Sequence, residues 1–305
     1  MSTAMIRQPQ LSPARSSQVG FRTILFATDF GPSSQAALRE ATATARAYEA
    51  RLLVLHVLPP ETYYDVIPEG ALLEAKEQKR WAEHQMTQLL ISGGLRDILH
   101  EVQIQRGSID AVLAKTIESE KVDLVVLGSH GLKSARKLVF GSVAEHIFRT
   151  SPCPVLVVGP QAASKGRIGR SVHSVLWATS LSSPEDGPRR LALSLAQEHQ
   201  ARLTMLHVWQ ASQAFPYRDT ERLRREASQK LEEFLPEENV LWFPASMLMV
   251  EGSPEEEIVA AARAVKADRI VLGVRRGHPH ASHLPGTIAY EVVRNSPCPV
   301  LIVPK

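Results

Sequence analysis

Only two cysteines occur among the 305 residues, too few for a disulfide framework. Long hydrophobic runs are also missing. The longest, such as Val122–Leu127 and Val155–Val158, have the length of a strand. They fall far short of the roughly 20 apolar residues that cross a bilayer, so no membrane span is expected. Nor is there an excess of charge of one sign: 35 basic and 32 acidic residues leave a formal net charge of +3. A basic stripe able to displace counterions from a duplex is therefore absent, and nucleic acid is not an expected partner. The amino-terminal stretch MSTAMIRQPQLSPARSSQVG has no apolar h-region, which argues against secretion and for a cytoplasmic location. Familiar catalytic signatures are missing as well: no G-x4-G-K-[ST], G-x-S-x-G, H-E-x-x-H or C-x-x-C occurs. A dedicated enzyme is not expected.

What the chain does contain is itself, twice. Thr23–Val57 aligns without gaps to Ser174–Val208 at an offset of 151, and Val122–Val158 aligns to Ala267–Val303 at an offset of 145. A repeat of about 140 residues is close to the commonest domain size, so each copy should fold around its own core. The expected organisation is a disordered tail over residues 1–20, a first domain over 21–160, a linker over 161–171 and a second domain over 172–305. The run Gly159–Ser171 (GPQAASKGRIGRS) is rich in Gly, Ser and basic residues and has no apolar period, which reads as a linker.

Within copy one, apolar runs at Thr23–Ala27, Leu52–Leu58, Glu101–Gln105, Val122–Leu127 and Val155–Val158 read as strands covered on both faces. Helical patterns lie between them, over Ser33–Tyr48, Glu69–Ile91, Ile109–Ile117 and from Ser142 to Arg149. In the third helix, Ile109, Val112, Leu113, Thr116 and Ile117 share one face. Strand and helix in alternation predict right-handed crossovers and a five-stranded parallel sheet between helices, an α/β fold.

In such a sheet, ligands bind beyond the carboxyl ends of the strands where the strand order reverses. After the first strand come Thr28, Asp29, Phe30 and Gly31. After the fourth come Gly128, Ser129, His130 and Gly131, then nine residues, then Gly141 and Ser142 opening a helix: G-x2-G-x9-G-S. Glycines there let backbone amides approach an anion, and a helix start adds unpaired N–H groups and the positive end of a dipole. Lys133, Arg136 and Lys137 place cations in the same stretch. A ligand-free account also exists, in which the glycines close a turn and Ser142 with Glu145 forms a capping box.

Asp29, Val57 at the end of LLVLHV, VLGSHG with nine residues to GSVAEHI, and SPCPVLVV together resemble the universal stress protein family in its tandem, two-domain form. The resemblance covers residues 21–160 and 172–305. It implies two doubly wound, Rossmann-like sheets of order 3-2-1-4-5, with strands one and four adjacent. ATP binding is implied too. Positions matching Ala27, Thr28, Asp29 and Val57 would surround the adenosine, and those matching Gly128, Gly131, Gly141, Ser142 and Val143 would hold ribose and phosphates. Ser129 and His130 share that loop, His130 either touching a phosphate or held as a loop histidine. Mg²⁺ would travel with the phosphates. The resemblance further implies that the two copies pair through PVLVV and PVLIV as a pseudo-dimer; a second pairing between two chains is left open by the sequence, and an unidentified protein partner belongs to the expected function.

Copy two departs from the pattern. Arg276 stands where Gly131 stands, and Ser180 replaces Asp29. One nucleotide per chain, in copy one, is the expectation; the alternative is a remodelled site in which Arg275 and Arg276 bind the anion. The HPHASH run (His278, His280, His283) is either a metal site or a solvated loop. His56 and His207 sit at equivalent positions and read as structural, as do Cys153 and Cys298, each in SPCPV. Trp177 and Trp209 either line a pocket or pack between domains. Three functions follow: a nucleotide-dependent stress-response module, a nucleotide-independent interaction or chaperone-like protein, and a slow ATP hydrolase with only Asp29 and His130 as candidate bases.

Overall fold

The computed structural model describes residues 20–60, 69–129, 147, 150–164, 168–181, 186–210, 217–234, 243–274 and 287–305. They fall into two compact units, Gly20–Arg170 and Ser171–Lys305. In the first, β1 (Thr23–Ala27), β2 (Arg51–Leu58), β3 (His100–Arg106), β4 (Leu124–Gly128) and β5 (Val155–Val158) are all parallel, in the order β3-β2-β1-β4-β5. The second unit repeats the order with β6 (Ser174–Ala178), β7 (Arg202–Trp209), β8 (Ala245–Glu251), β9 (Arg269–Val274) and β10 (Val300–Pro304), running β8-β7-β6-β9-β10. The expected doubly wound 3-2-1-4-5 topology is thus observed.

The helices are α1 (Pro32–Tyr48), α2 (Glu69–Gly93), α3 (Ile109–Ser119) and the short α4 (Pro160–Ser164) in the first unit. The second unit has α5 (Asp186–Glu198), α6 (Tyr217–Glu233), α7 (Pro254–Ala264) and α8 (Ile288–Asn295). Among the described residues no helix is long and apolar enough to cross a membrane. Pro32 opens α1 where a missing N–H is harmless, and the small buried side chains Ala36, Ala37, Ala41 and Ala45 let the helix approach the sheet. Ile24, Leu25, Phe26, Leu52 to Leu55 and Leu124 to Val126 are essentially sealed from solvent. Each such side chain contributes about 1.5–3 kcal/mol.

Several boundaries and roles differ from the sequence reading. Val122 is buried but precedes β4, which begins at Leu124, because Lys121 turns the chain at φ 52°. Ile109 is 37% exposed, since it opens α3 beyond the sheet, while Val112, Leu113, Thr116 and Ile117 are buried as expected. The segment read as a linker is docked on its own unit: Pro160–Ser164 is helical, Ala162 and Ile168 are buried, and the Gly169 amide donates to Glu40 Oε2 at 2.9 Å. Gly169 has φ 73°, and an added Cβ would lie 3.1 Å from the Arg39 carbonyl oxygen. Two apolar anchors and one turn hold a segment too short to show a period.

An aspartate pins the start of the first strand in each copy, a feature the sequence reading missed. Asp123 accepts the amides of Arg22 (2.8 Å) and Thr23 (3.3 Å), and Asp268 accepts those of His173 (2.9 Å) and Ser174 (3.1 Å). Burial pushes the Asp123 carboxyl upward against these amide donors. Cys153 and Cys298 are buried, and in each case the hydroxyl two residues earlier, Ser151 or Ser296, donates to the cysteine carbonyl oxygen at 2.9 or 2.6 Å. Both cysteines are core residues.

Candidate functional site

The strand order reverses between the parallel neighbours β1 and β4, and the register pairs Phe26 with Val126. Continued two steps, it sets Thr28 beside Gly128 at the mouth of the sheet. On the other side, Ala27 pairs with Leu55, which carries Asp29 to the level of Val57. Ala27, Asp29, Val57 and Gly128 are half-exposed at the ends of strands that are otherwise buried. The structure therefore gathers these residues on three adjacent strands. His130, Gly131, Gly141, Ser142 and Val143 lie outside the described residues. So do Lys133, Arg136, Lys137, Glu145, Arg275, Arg276, His278, His280 and His283.

The β1–α1 turn is built by its own side chains. Phe30 adopts φ 63°, a left-handed conformation that costs a bulky residue about 1–2 kcal/mol. Three contacts hold it there. Its amide donates to Thr28 Oγ1 at 3.0 Å, its ring lies 4.3 Å from the His56 ring, and Trp81 closes on it at 5.5 Å. Asp29 Oδ1 accepts the Gly31 amide (3.0 Å) and the Ser34 hydroxyl (2.6 Å), so the carboxylate is oriented before any ligand arrives. This aromatic cluster was not read from the sequence.

Thr28 and Ser129 behave differently from their neighbours. Thr28 is buried, with its amide on Leu55 O at 2.9 Å and its carbonyl taken by His56. Ser129 is fully buried, and its amide donates to Val158 O at 3.1 Å, so that amide belongs to the sheet. Gly128 is glycine for a reason local to the fold. A Cβ there would stand 2.7 Å from the Ser33 carbonyl carbon and 2.8 Å from its oxygen, both backbone atoms of α1.

His56 Nδ1 lies 2.8 Å from the Thr28 carbonyl oxygen. A carbonyl only accepts, so Nδ1 carries the proton. Burial pushes the imidazole below its usual 6.5, while the Thr28 bond and the Asp29 charge push it back less strongly. The folded state therefore binds this proton less readily than the unfolded chain. Stability from this group is complete above pH 6.5 and declines as the pH falls through the depressed folded value. Chemical denaturation from about pH 7.5 down to about pH 5, across the range where histidine changes charge, is expected to show this loss, and His56→Gln to flatten it.

Copy two keeps the turn and changes the mouth. The Thr179 amide donates to Leu206 O at 2.9 Å, His207 Nδ1 to Thr179 O at 2.9 Å, and Leu181 (φ 57°) to Thr179 Oγ1 at 3.2 Å. Both histidines thus serve the fold, as expected. Over Gly273, however, an added Cβ would meet the Lys305 side chain and Pro188 Cγ, the latter at 2.8 Å, and Lys305 Nζ reaches Ser180 Oγ at 3.5 Å. The Lys305 side chain so runs from β9 to the turn after β6. Trp177 is fully buried 5.5 Å from Phe234 of its own unit, whereas Trp209 lines a cavity. Among the described residues no cluster of side chains is suited to hold a metal ion.

The family model described as "Universal stress protein family" matches residues 20–159 and 172–304. A universal stress protein of Staphylococcus aureus strain USA300 is 28% identical over 144 residues, which span 46% of this chain and 85% of that protein. The crystal structure of a universal stress protein from Archaeoglobus fulgidus is 20% identical, covers 94% of this chain and 98% of its own, and superimposes with a TM-score of 0.67. One from Pseudomonas aeruginosa UCBPP-PA14 is 17% identical, with 93% of each chain covered and a TM-score of 0.58. These structures share the fold. Two matched blocks that together take in nearly all of both copies establish that the chain belongs to the universal stress protein family.

Proposed function

We propose that copy one binds ATP and acts as a nucleotide-dependent stress-response module, with one nucleotide per chain. One observation carries this reading: Ala27, Asp29, Val57 and Gly128, assigned to the nucleotide by the family resemblance, form a half-exposed patch across β2, β1 and β4, whose bodies are sealed. The topology puts that patch at the reversal point where such sheets take ligands. Mg²⁺ prefers oxygen donors, and the Asp29 carboxylate, oriented by Gly31 and Ser34, is of that type. The metal would be held by the phosphates with Asp29 beside it. In copy two, Ser180 replaces the carboxylate and the Lys305 side chain occupies the space over Gly273, which supports a single site. Nucleotide occupancy would then alter the surface offered to a protein partner.

The Gly128–Ser33 contact and the Ser129–Val158 bond favour a second reading, in which the start of the glycine motif is a structural turn and the protein works without nucleotide. Two measurements separate them. Mass spectrometry of the denatured, purified chain is expected to release an adenine nucleotide, and calorimetric titration with Mg²⁺ and ATP to give one site. Two equivalent sites would refute the asymmetry, and indifference to every adenylate would leave the second reading standing.

A further inference from the structure

The carboxy-terminal unit holds a cavity of about 260 Å³ at the carboxyl ends of β6, β7 and β8, beside α6. Leu181, His207, Trp209 and Met249 line it from the sheet side, and Glu226 and Lys230 from the helix. It meets the counterpart of the proposed nucleotide site at Ser180, which stands where copy one has Asp29, but extends along the opposite face of β7. Side chains alternate along a strand, so Val208, the equivalent of Val57, points away from the face that carries His207 and Trp209.

Copy one shows what shape the cavity has. Its own rings occupy the equivalent place: Phe30 lies 4.3 Å from His56 and 5.5 Å from Trp81. The offset of 151 maps Phe30 onto Leu181 and His56 onto His207. The offset of 145 maps Trp81 onto Glu226, in a register that also places Ala82 on Ala227 and buried Met86 on buried Leu231. Copy two has therefore kept the imidazole, lost both rings that packed around it, and gained Trp209 where copy one has Leu58.

Charge at the rim is also selective. Glu226 pairs with Arg222 at 3.8 Å, whereas Lys230, one turn further along α6, makes no ion pair among the described residues. We propose that this cavity binds a small planar aromatic anion, an aromatic carboxylate in chemical class. Its ring lies against His207 and Trp209 as Phe30 lies against His56, and its carboxylate faces Lys230. The inference stands whether or not copy one binds nucleotide.

The test is calorimetric titration of the full chain with indole-3-carboxylate and with uncharged indole. The carboxylate is expected to bind saturably at one site per chain. Lys230→Met should weaken it about fivefold while moving indole less than about twofold, the scale of a partly exposed ion pair. Leu181→Phe with Glu226→Trp, which rebuilds the rings of copy one, should abolish both titrations. Leu181→Trp alone provides a second block if the double variant loses its circular dichroism spectrum. Absence of saturable carboxylate binding, a titration unchanged by Leu181→Trp, or equal affinity for both probes would overturn the proposal.

Discussion

Replacing Gly128 with valine is expected to destabilise the amino-terminal unit by about 3 kcal/mol, the upper end of what overpacking costs. Nucleotide affinity should fall with it, by about tenfold or more. The first three atoms an added Cβ would meet all belong to Ser33, two of them backbone. Backbone at the start of a helix cannot rotate aside as a side chain does, so α1 must move. One residue on, Ser34 donates to Asp29 Oδ1 at 2.6 Å, and a displaced helix start therefore releases the carboxylate that orders the mouth. The same substitution at Gly273 is a control of the same chemistry. There the crowding atoms are the Lys305 side chain and Pro188 Cγ, and the terminal lysine can swing away. A cost of about 1 kcal/mol is expected. Urea denaturation followed by circular dichroism, with calorimetric titration of ATP, measures both effects. Equal costs at the two glycines would show that the Ser33 contact is not the reason for glycine.

Most of the fold was legible because both of its signals are redundant. Fully buried parallel strands must be apolar throughout, so Leu52–Leu58 and Val155–Val158 declare themselves without neighbours, and the duplication confirms each strand a second time. The candidate site was legible only in part. Asp29 and Val57 could be placed because they sit at the ends of strands whose register is simple, and the structure brings them level. Gly128 was read as room for a ligand, yet its immediate neighbour is Ser33, a contact between residues 95 apart that no local pattern announces. Phe30 escaped for a related reason. Its left-handed backbone and its stack on His56 and Trp81 join three elements, and glycine, the usual sign of such a backbone, is absent. A signal did exist in the comparison of the copies: Phe30 against Leu181 and Trp81 against Glu226 are the substitutions by which one copy closes a space and the other opens it.

Trp177→Ala is expected to destabilise the carboxy-terminal unit by about 4 kcal/mol, and Trp177→Phe by about 1 kcal/mol or less. The indole is fully buried in β6 with its ring centroid 5.5 Å from that of Phe234, over which Arg189 lies at 5.9 Å while its Nε donates to the Phe234 carbonyl at 2.7 Å. Alanine would leave a cavity under this stack, and the rigid strand could not collapse to fill it. Phenylalanine loses less volume and removes something unfavourable. Among the described residues the Trp177 indole N–H has no hydrogen-bond partner, and a buried donor left unpaired costs about 1–3 kcal/mol. Copy one already carries the smaller ring, Phe26, at this position and buries it completely. The two terms for phenylalanine oppose each other and nearly cancel, whereas those for alanine do not. Denaturation midpoints of both variants, read by far-ultraviolet circular dichroism, test this. A phenylalanine variant as unstable as the alanine one would mean that the indole nitrogen is satisfied and that ring volume alone sets the cost.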